Sequence, residues 1–188
     1  MNKVAVFLAT GFEEIEAISI IDVLRRGGVE LDIVSVSGME FVEGAHGITV
    51  KSDALFFSID FSDYELFVLP GGMPGTTNLA KHEGLCELLG NIFSEGKRIG
   101  AICAAPSILG ELGLLEGKLA TCYPGLEERL IGADLLNQDI VRDGNLITGR
   151  GAGVAMEFGL ELLKDYLSNE EVLDLRKKLI LQPLVDII

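Results

Sequence analysis

The stretch RIGAICAAPSILG, residues 98–110, decides the fold. It opens as a short apolar strand, Arg98 to Ile102, and resumes with helical spacing from Pro106 to Leu112. A single thiol, Cys103, sits at the junction, with no acid, base or histidine within four residues on either side. A strand that turns sharply into a helix is the repeating unit of a parallel sheet with helices packed on it.

The same rhythm extends outward in both directions. Lys3 to Ala9 is a continuous apolar, β-branched run, as expected of a strand buried on both faces. Glu13 to Arg26 has helical spacing and stops at Gly27-Gly28. Val29 to Val36 alternates as a second strand, and glycines split Met39 to Val50 into two short strand pieces, the pattern of a hairpin. Leu66 to Leu69 is a buried strand ending at Pro70-Gly71-Gly72, and His82 to Ser94 is helical. Beyond Cys103, Leu119 to Cys122, Ile140 to Arg142 and Leu146 to Thr148 read as short strands, and Val154 to Leu167 and Glu170 to Leu181 as helices. Strands alternating with helices imply an α/β fold with a mostly parallel sheet covered on both faces. No linker, repeat or low-complexity segment interrupts the pattern, so one domain over residues 1–188 is expected.

Composition narrows the function. Asp plus Glu is 29 against 15 for Lys plus Arg, a net charge of −14, and the longest basic cluster is Arg176-Lys177-Lys178. Such a surface repels phosphate backbones, which argues against nucleic acid as a partner. Three widely spaced cysteines with no C-x-x-C array argue against a disulfide framework and a zinc site, and for a reducing compartment. No apolar run approaches the roughly 20 residues of a membrane span. The expectation is a soluble, cytoplasmic protein with no metal, no membrane contact and no cofactor. The loop PGGMPG lacks both nucleotide-binding glycine patterns.

In open α/β sheets, sites lie beyond the carboxyl ends of the strands. That rule selects Thr10-Gly11-Phe12-Glu13, the Pro70–Gly75 loop and Cys103. A side chain on a strained strand-to-helix turn needs small residues two before and two after it, and Ala101 and Ala105 supply them. A helix opening at Pro106 would aim its first amides near the sulfur and lower the thiol pKa. The plain alternative is a small, inert core cysteine. Cys86 and Cys122 read as packing residues.

Glu16 shares a helical row with Ile20 and Val23, an unusual place for a carboxylate. A carboxyl on an apolar face keeps its proton and can donate to a thiolate; the alternative is a half-exposed acid at a helix start. Glu14 falls nearer the row of Arg25 and is expected in solvent, and Glu13 is a candidate helix cap. Gly71 and Gly72 offer main-chain N–H groups of the kind that form an oxyanion hole, or only a tight turn. His46 and His82 are expected at the surface or at a cap.

Taken in order, GFEEIEA, LPGG, AICAAP and TGRGAG, with Pro183-Leu184-Val185 near the end, resemble the ThiJ/PfpI superfamily, in its DJ-one-like branch. The resemblance implies a flavodoxin-like three-layer sandwich that forms a homodimer. It implies an oxidisable Cys103, a protonated Glu16 bonded to it, and an anion pocket made by the amides of Gly72 and Ala104. Arg25, Arg26 and His46 become candidates for the dimer interface, and Tyr123 and Arg150 for pocket-lining residues. The implied activity is of glyoxalase or deglycase type on small 2-oxoaldehydes such as methylglyoxal or their adducts. The other reading is a redox sensor or chaperone whose cysteine becomes a sulfinate. Two patterns depart from the family. Ala104 follows the cysteine where the protease-like branch has His, against a peptidase, and TCYPG puts Tyr123 where a histidine is usual. A role in a thiamine pathway finds little support in so acidic a chain.

Overall fold

The computed structural model describes residues 3–181; the Pro183-Leu184-Val185 motif lies outside them. Strand β1 (Lys3–Leu8) leads into helix α1 (Glu14–Arg26), followed by β2 (Leu31–Ser35), the hairpin strands β3 (Phe41–Glu43) and β4 (Thr49–Lys51), and β5 (Ala54–Leu55). Next come β6 (Tyr64–Leu69), α2 (Gly75–Ala80), α3 (Glu83–Ser94), β7 (Arg98–Ile102) and α4 (Pro106–Glu111). The described residues close with β8 (Leu119–Ala120), β9 (Asp134–Leu135), β10 (Ile140–Asp143), β11 (Leu146–Gly149), α5 (Ala155–Leu163) and α6 (Asn169–Lys178). The central sheet has seven strands in the order β10-β11-β7-β6-β1-β2-β5. Every neighbouring pair is parallel except β10 with β11. This is the flavodoxin-like α/β arrangement.

The central strands explain the layers. In β1 the side chains alternate faces: Val4, Val6 and Leu8 join a core with α1, α5 and α6, while Ala5 and Phe7 join one with α3 and α4. Both sets are fully buried, which is why the run carries no polar residue after Lys3. Fully burying a side chain such as Phe7 contributes roughly 1.5–3 kcal/mol. Two glycines set how closely the first layer packs. A Cβ on Gly159 would lie 2.9 Å from Val23, where α5 crosses α1, and one on Gly100 would lie 3.1 Å from Leu162.

Helix boundaries follow local chemistry. Helix α1 stops where Gly28 takes φ 75°, a left-handed value that favours glycine, and Val29 N–H reaches back to the Leu24 carbonyl. Helix α6 opens with a capping box, Ser168 and Glu171 satisfying each other's backbone N–H. His82 caps α3 through Nδ1, as its position suggested. Two expectations are corrected. Glu13 stands at the α1 cap position, but its side chain caps nothing. The strand at Leu119 ends at Ala120, where it pairs in parallel with β9. Helix α2 went unforeseen because Gly75-Thr-Thr-Asn reads as loop chemistry; it forms because the Pro70–Gly75 loop is clamped onto the turn after β1. Among the described residues no helix is long and apolar enough to cross a membrane.

Candidate active site

Three turns at the carboxyl ends of β1, β6 and β7 converge. Cys103 has φ 63°, a left-handed conformation that costs a non-glycine residue about 1–2 kcal/mol. The surroundings enforce it: Cys103 N–H donates to the Gly149 carbonyl at 2.8 Å, and Tyr123 N–H donates to the Cys103 carbonyl at 2.9 Å. Ala101 and Ala105 flank it, fully buried, so the small–x–Cys–x–small pattern does form a strained elbow.

Glycine is required opposite. A Cβ on Gly71 would lie 2.7 Å from Cys103 Cβ, 2.8 Å from Glu16 Oε2 and 3.1 Å from the Ala104 amide. Gly72, at φ 93°, is equally confined; a Cβ there would lie 2.3 Å from the Glu13 amide. Glu13 N–H in turn donates to the Gly71 carbonyl at 2.9 Å, and Gly75 N–H to Gly11 at 3.0 Å. These contacts fasten the loop after β6 to the start of α1 and bring Glu16 to the sulfur.

Glu16 is 0% exposed, so the half-exposed alternative fails. Gly71 N–H donates to its Oε2 at 2.8 Å, while Oε1 is buried with no hydrogen-bond partner. Burial pushes its carboxyl up to about 7, against the pull of Cys103 and the Gly71 amide; the charge on Glu13 adds to the rise. The Cys103 thiol is pushed up to about 12, by burial first and then by the Glu16 carboxylate. The amides of Ala104 and Gly72 act in the opposite direction, toward the thiolate. The expected lowering by the α4 terminus is therefore outweighed. Two acids confront each other in a dry pocket, and the negative charge of one suppresses ionisation of the other. The part of the thiol's rise that comes from Glu16 exists only while Glu16 is ionised.

The remaining candidates separate into those at the elbow and those elsewhere. Tyr123 touches the elbow through its backbone; its side chain is 53% exposed and its ring borders Gly151. Arg150 does not line a pocket with Cys103. Its guanidinium donates to Asn137 Oδ1 at 2.6 Å and faces a cavity of about 330 Å³ whose thiol is Cys122. The reason is direction: Arg150 follows Gly149 on β11, and its N–H is turned outward to the Asp139 carbonyl. Arg25 pairs with Asp53 at 2.8 Å, and Arg26 with Asp22 at 2.6 Å.

Glu14 is the functional-looking residue that pattern reasoning misplaced. It is 3% exposed, not solvated. Its Oε1 accepts from His46 N–H at 2.6 Å and from Ile48 N–H at 3.4 Å, and its Oε2 bonds His46 Nδ1 at 2.8 Å. These bonds hold the carboxyl below its usual range despite burial, and Glu14 with Glu13 raises the His46 pKa. Gly44 permits the approach, since a Cβ there would lie 2.4 Å from the Glu14 carboxyl. The signal was long-range and invisible in the helical row. Glu13, Glu14 and His46 are the group whose potential ligand atoms lie within 4.8 Å of one another. Both Glu14 oxygens are already spoken for by the hairpin, and the arrangement is that of a hairpin anchor.

A buried acid facing a thiol on a strained elbow beside two main-chain amides can accept and return a proton and can hold an oxyanion. The model of the DJ-1/PfpI family matches residues 2–165. The chain is 38% identical over 184 residues to Protein DJ-1 homolog B of Arabidopsis thaliana, covering 97% of this chain and 42% of that one. It thus spans less than half of that relative's length. It is 32% identical over 164 residues to a deglycase of Pyrococcus abyssi, covering 86% and 98% of the two chains. A solved structure of oxidized DJ-1 from Toxoplasma gondii superimposes with a TM-score of 0.91 at 34% identity, covering 96% and 98%. On matches of this extent, with the elbow and its glycine turn in place, the chain belongs to the DJ-1/PfpI family.

Proposed function

We propose that Cys103 is the nucleophile of a deglycase- or glyoxalase-type reaction on small 2-oxoaldehydes or their adducts, with Glu16 as its proton partner. The observation that carries this reading is the pairing across Gly71 of a thiol at φ 63° with a fully buried carboxyl. The deglycase name of the Pyrococcus relative supports the substrate class.

The chain's own groups allow a balanced sequence. Glu16 Oε1 has no hydrogen-bond partner, so it can take the Cys103 proton as the sulfur attacks. The resulting thiolate adds to the aldehyde carbon, and the carbonyl pair becomes an oxyanion held by the Gly72 and Ala104 amides. Glu16 gives that oxygen its proton and then, as carboxylate, can move the proton from the former aldehyde carbon to the neighbouring one. Water then releases the acyl group from sulfur as the carboxylate. Methylglyoxal plus water gives lactate with no external oxidant or reductant. Tyr123, at the place of a family histidine, leaves Glu16 as the proton carrier. Lactate production from methylglyoxal by purified protein, against a Cys103→Ser control, tests the proposal.

A second reading has its own support in the oxidized state of the Toxoplasma relative. Here Cys103 consumes two equivalents of peroxide, gains two oxygens as a sulfinate and releases two waters. Mass spectrometry after mild peroxide would locate the adduct on Cys103 rather than on Cys86 or Cys122.

The protein is further proposed to pair with a second copy of itself. Ile15 and Ile18 on α1 and Phe41 and Ile48 on the hairpin are exposed apolar residues on adjoining elements. Sedimentation of wild type against an Ile15→Asp, Ile18→Asp double variant would detect the loss of a dimer.

A further inference from the structure

A second concave site lies beside the elbow, and Cys103 does not line it. This is the cavity of about 330 Å³ bordered by Cys122, Glu127, Leu135, Asn137 and Arg150. Main-chain bonds hold its walls. Leu136 N–H donates to Ala120 at 2.9 Å, Arg150 N–H to Asp139 at 2.9 Å, and Thr121 N–H to Thr148 Oγ1 at 3.0 Å. It is therefore preformed, and its size falls at the lower end for small-molecule sites.

Its charges are unusual for this protein. Among the described arginines, Arg25, Arg26, Arg98, Arg129, Arg142 and Arg176 each pair with a carboxylate within 4 Å; Arg150 has none. Arg150 is held toward the cavity by Asn137, and most of its N–H groups lack a partner. Glu127 lines the same cavity with no cation beside it; its Oε2 accepts only the Gly125 N–H, at 2.7 Å. Glu127 and Arg150 line the cavity together with Cys122; burial raises the Cys122 thiol pKa, Glu127 adds to the rise and Arg150 opposes it. Leu135, 47% exposed, adds an apolar wall that nothing covers.

A guanidinium, a carboxylate and an aliphatic wall in so small a space select for one ligand class. A simple carboxylate would face Glu127, an amine would face Arg150, and a neutral polyol would satisfy neither charge nor use the leucines. We propose that this cavity binds a free α-amino acid with an aliphatic side chain. Its carboxylate rests on Arg150 with Asn137, its ammonium on Glu127, and its side chain on Leu135 and Leu136. The site is separate from Cys103, and the proposal stands whatever chemistry Cys103 performs.

The test is titration of the full chain with L-leucine, followed by NMR, alongside isovalerate and isoamylamine, which carry one charge each. Saturable leucine binding is expected, unchanged by Cys103→Ser. Arg150→Gln or Glu127→Gln should each weaken it roughly tenfold, the cost of one charge-assisted hydrogen-bonded contact. Both half-ligands should bind more weakly than leucine. No saturation by roughly 10 mM leucine, the weak end of specific affinity, would overturn the proposal. So would equal binding by either half-ligand, or leucine binding indifferent to both substitutions.

Discussion

Replacing Glu16 with Gln separates two opposite physical roles for that residue. The substitution keeps the shape of the side chain and an acceptor for the Gly71 N–H, but removes both the charge and the transferable proton. If the carboxyl takes the pair's proton and leaves Cys103 as thiolate, the proton on Glu16 removes the charge that otherwise holds the thiol protonated. In Glu16→Gln the thiol must ionise alone in a buried site, at or above its ordinary value of 9.0. At pH 7 the variant is then at most about one hundredth thiolate, so alkylation slows by about tenfold or more. The assay is the iodoacetamide rate at each cysteine, followed by peptide mass spectrometry from pH 5.5 to 9.5. If Glu16 is instead ionised and merely repels the thiolate, its removal lowers the thiol pKa from about 12 and accelerates alkylation. An equal or faster rate in Glu16→Gln at pH 7 would refute the shared-proton account.

Other consequences follow from the same contacts. A buried acid whose pKa rises from 4.5 to about 7 on folding stabilises the fold fully below pH 4.5, and that contribution is lost as pH rises through 7. Relative to Glu16→Gln, wild type should therefore lose about 3 kcal/mol between pH 4.5 and 8, readable from urea unfolding of the two proteins at each pH. Gly71→Ala places a methyl 2.7 Å from Cys103 Cβ and 2.8 Å from Glu16. It should cost about 1–3 kcal/mol and erase the fast alkylation of Cys103, while leaving Cys86 and Cys122 at their wild-type rates. Glu14→Ala strips the hairpin of its buried anchor and leaves three N–H donors without an acceptor. It should destabilise by about 2–4 kcal/mol and open the 39–51 segment to limited proteolysis before the rest of the chain, whereas Asp22→Ala on the same helix should do neither.

Much of the fold was legible because β1, β6 and β7 are buried on both faces, where two-sided packing forces an unbroken apolar run. Cys103 was legible for a related reason: a strained elbow tolerates only small flanks, and those flanks are local in sequence. Glu16 could be singled out as misplaced on its helical row, but its burial depends on Gly71, distant in the chain. Glu14 was unreadable. The row that seemed to point it at solvent is covered by the hairpin, whose glycine at position 44 makes room for it. Arg150 could be read as lining a pocket, but not which one: Gly149 and Gly151 beside it border the elbow, while its own side chain turns to Asn137 and the neighbouring cavity. The thiol's electrostatics were also hidden, since the amides of a short helix can be inferred from Pro106 but the opposing carboxylate cannot.

The central claim is that Cys103 and Glu16 act as one catalytic unit. Its most direct test is lactate formation from methylglyoxal by wild type, Cys103→Ser and Glu16→Gln at equal concentration and pH 7. The account predicts turnover by wild type, none above buffer for Cys103→Ser, and a loss of at least about 100-fold for Glu16→Gln, which cannot carry the proton. Lactate formed at the wild-type rate by either variant would contradict it.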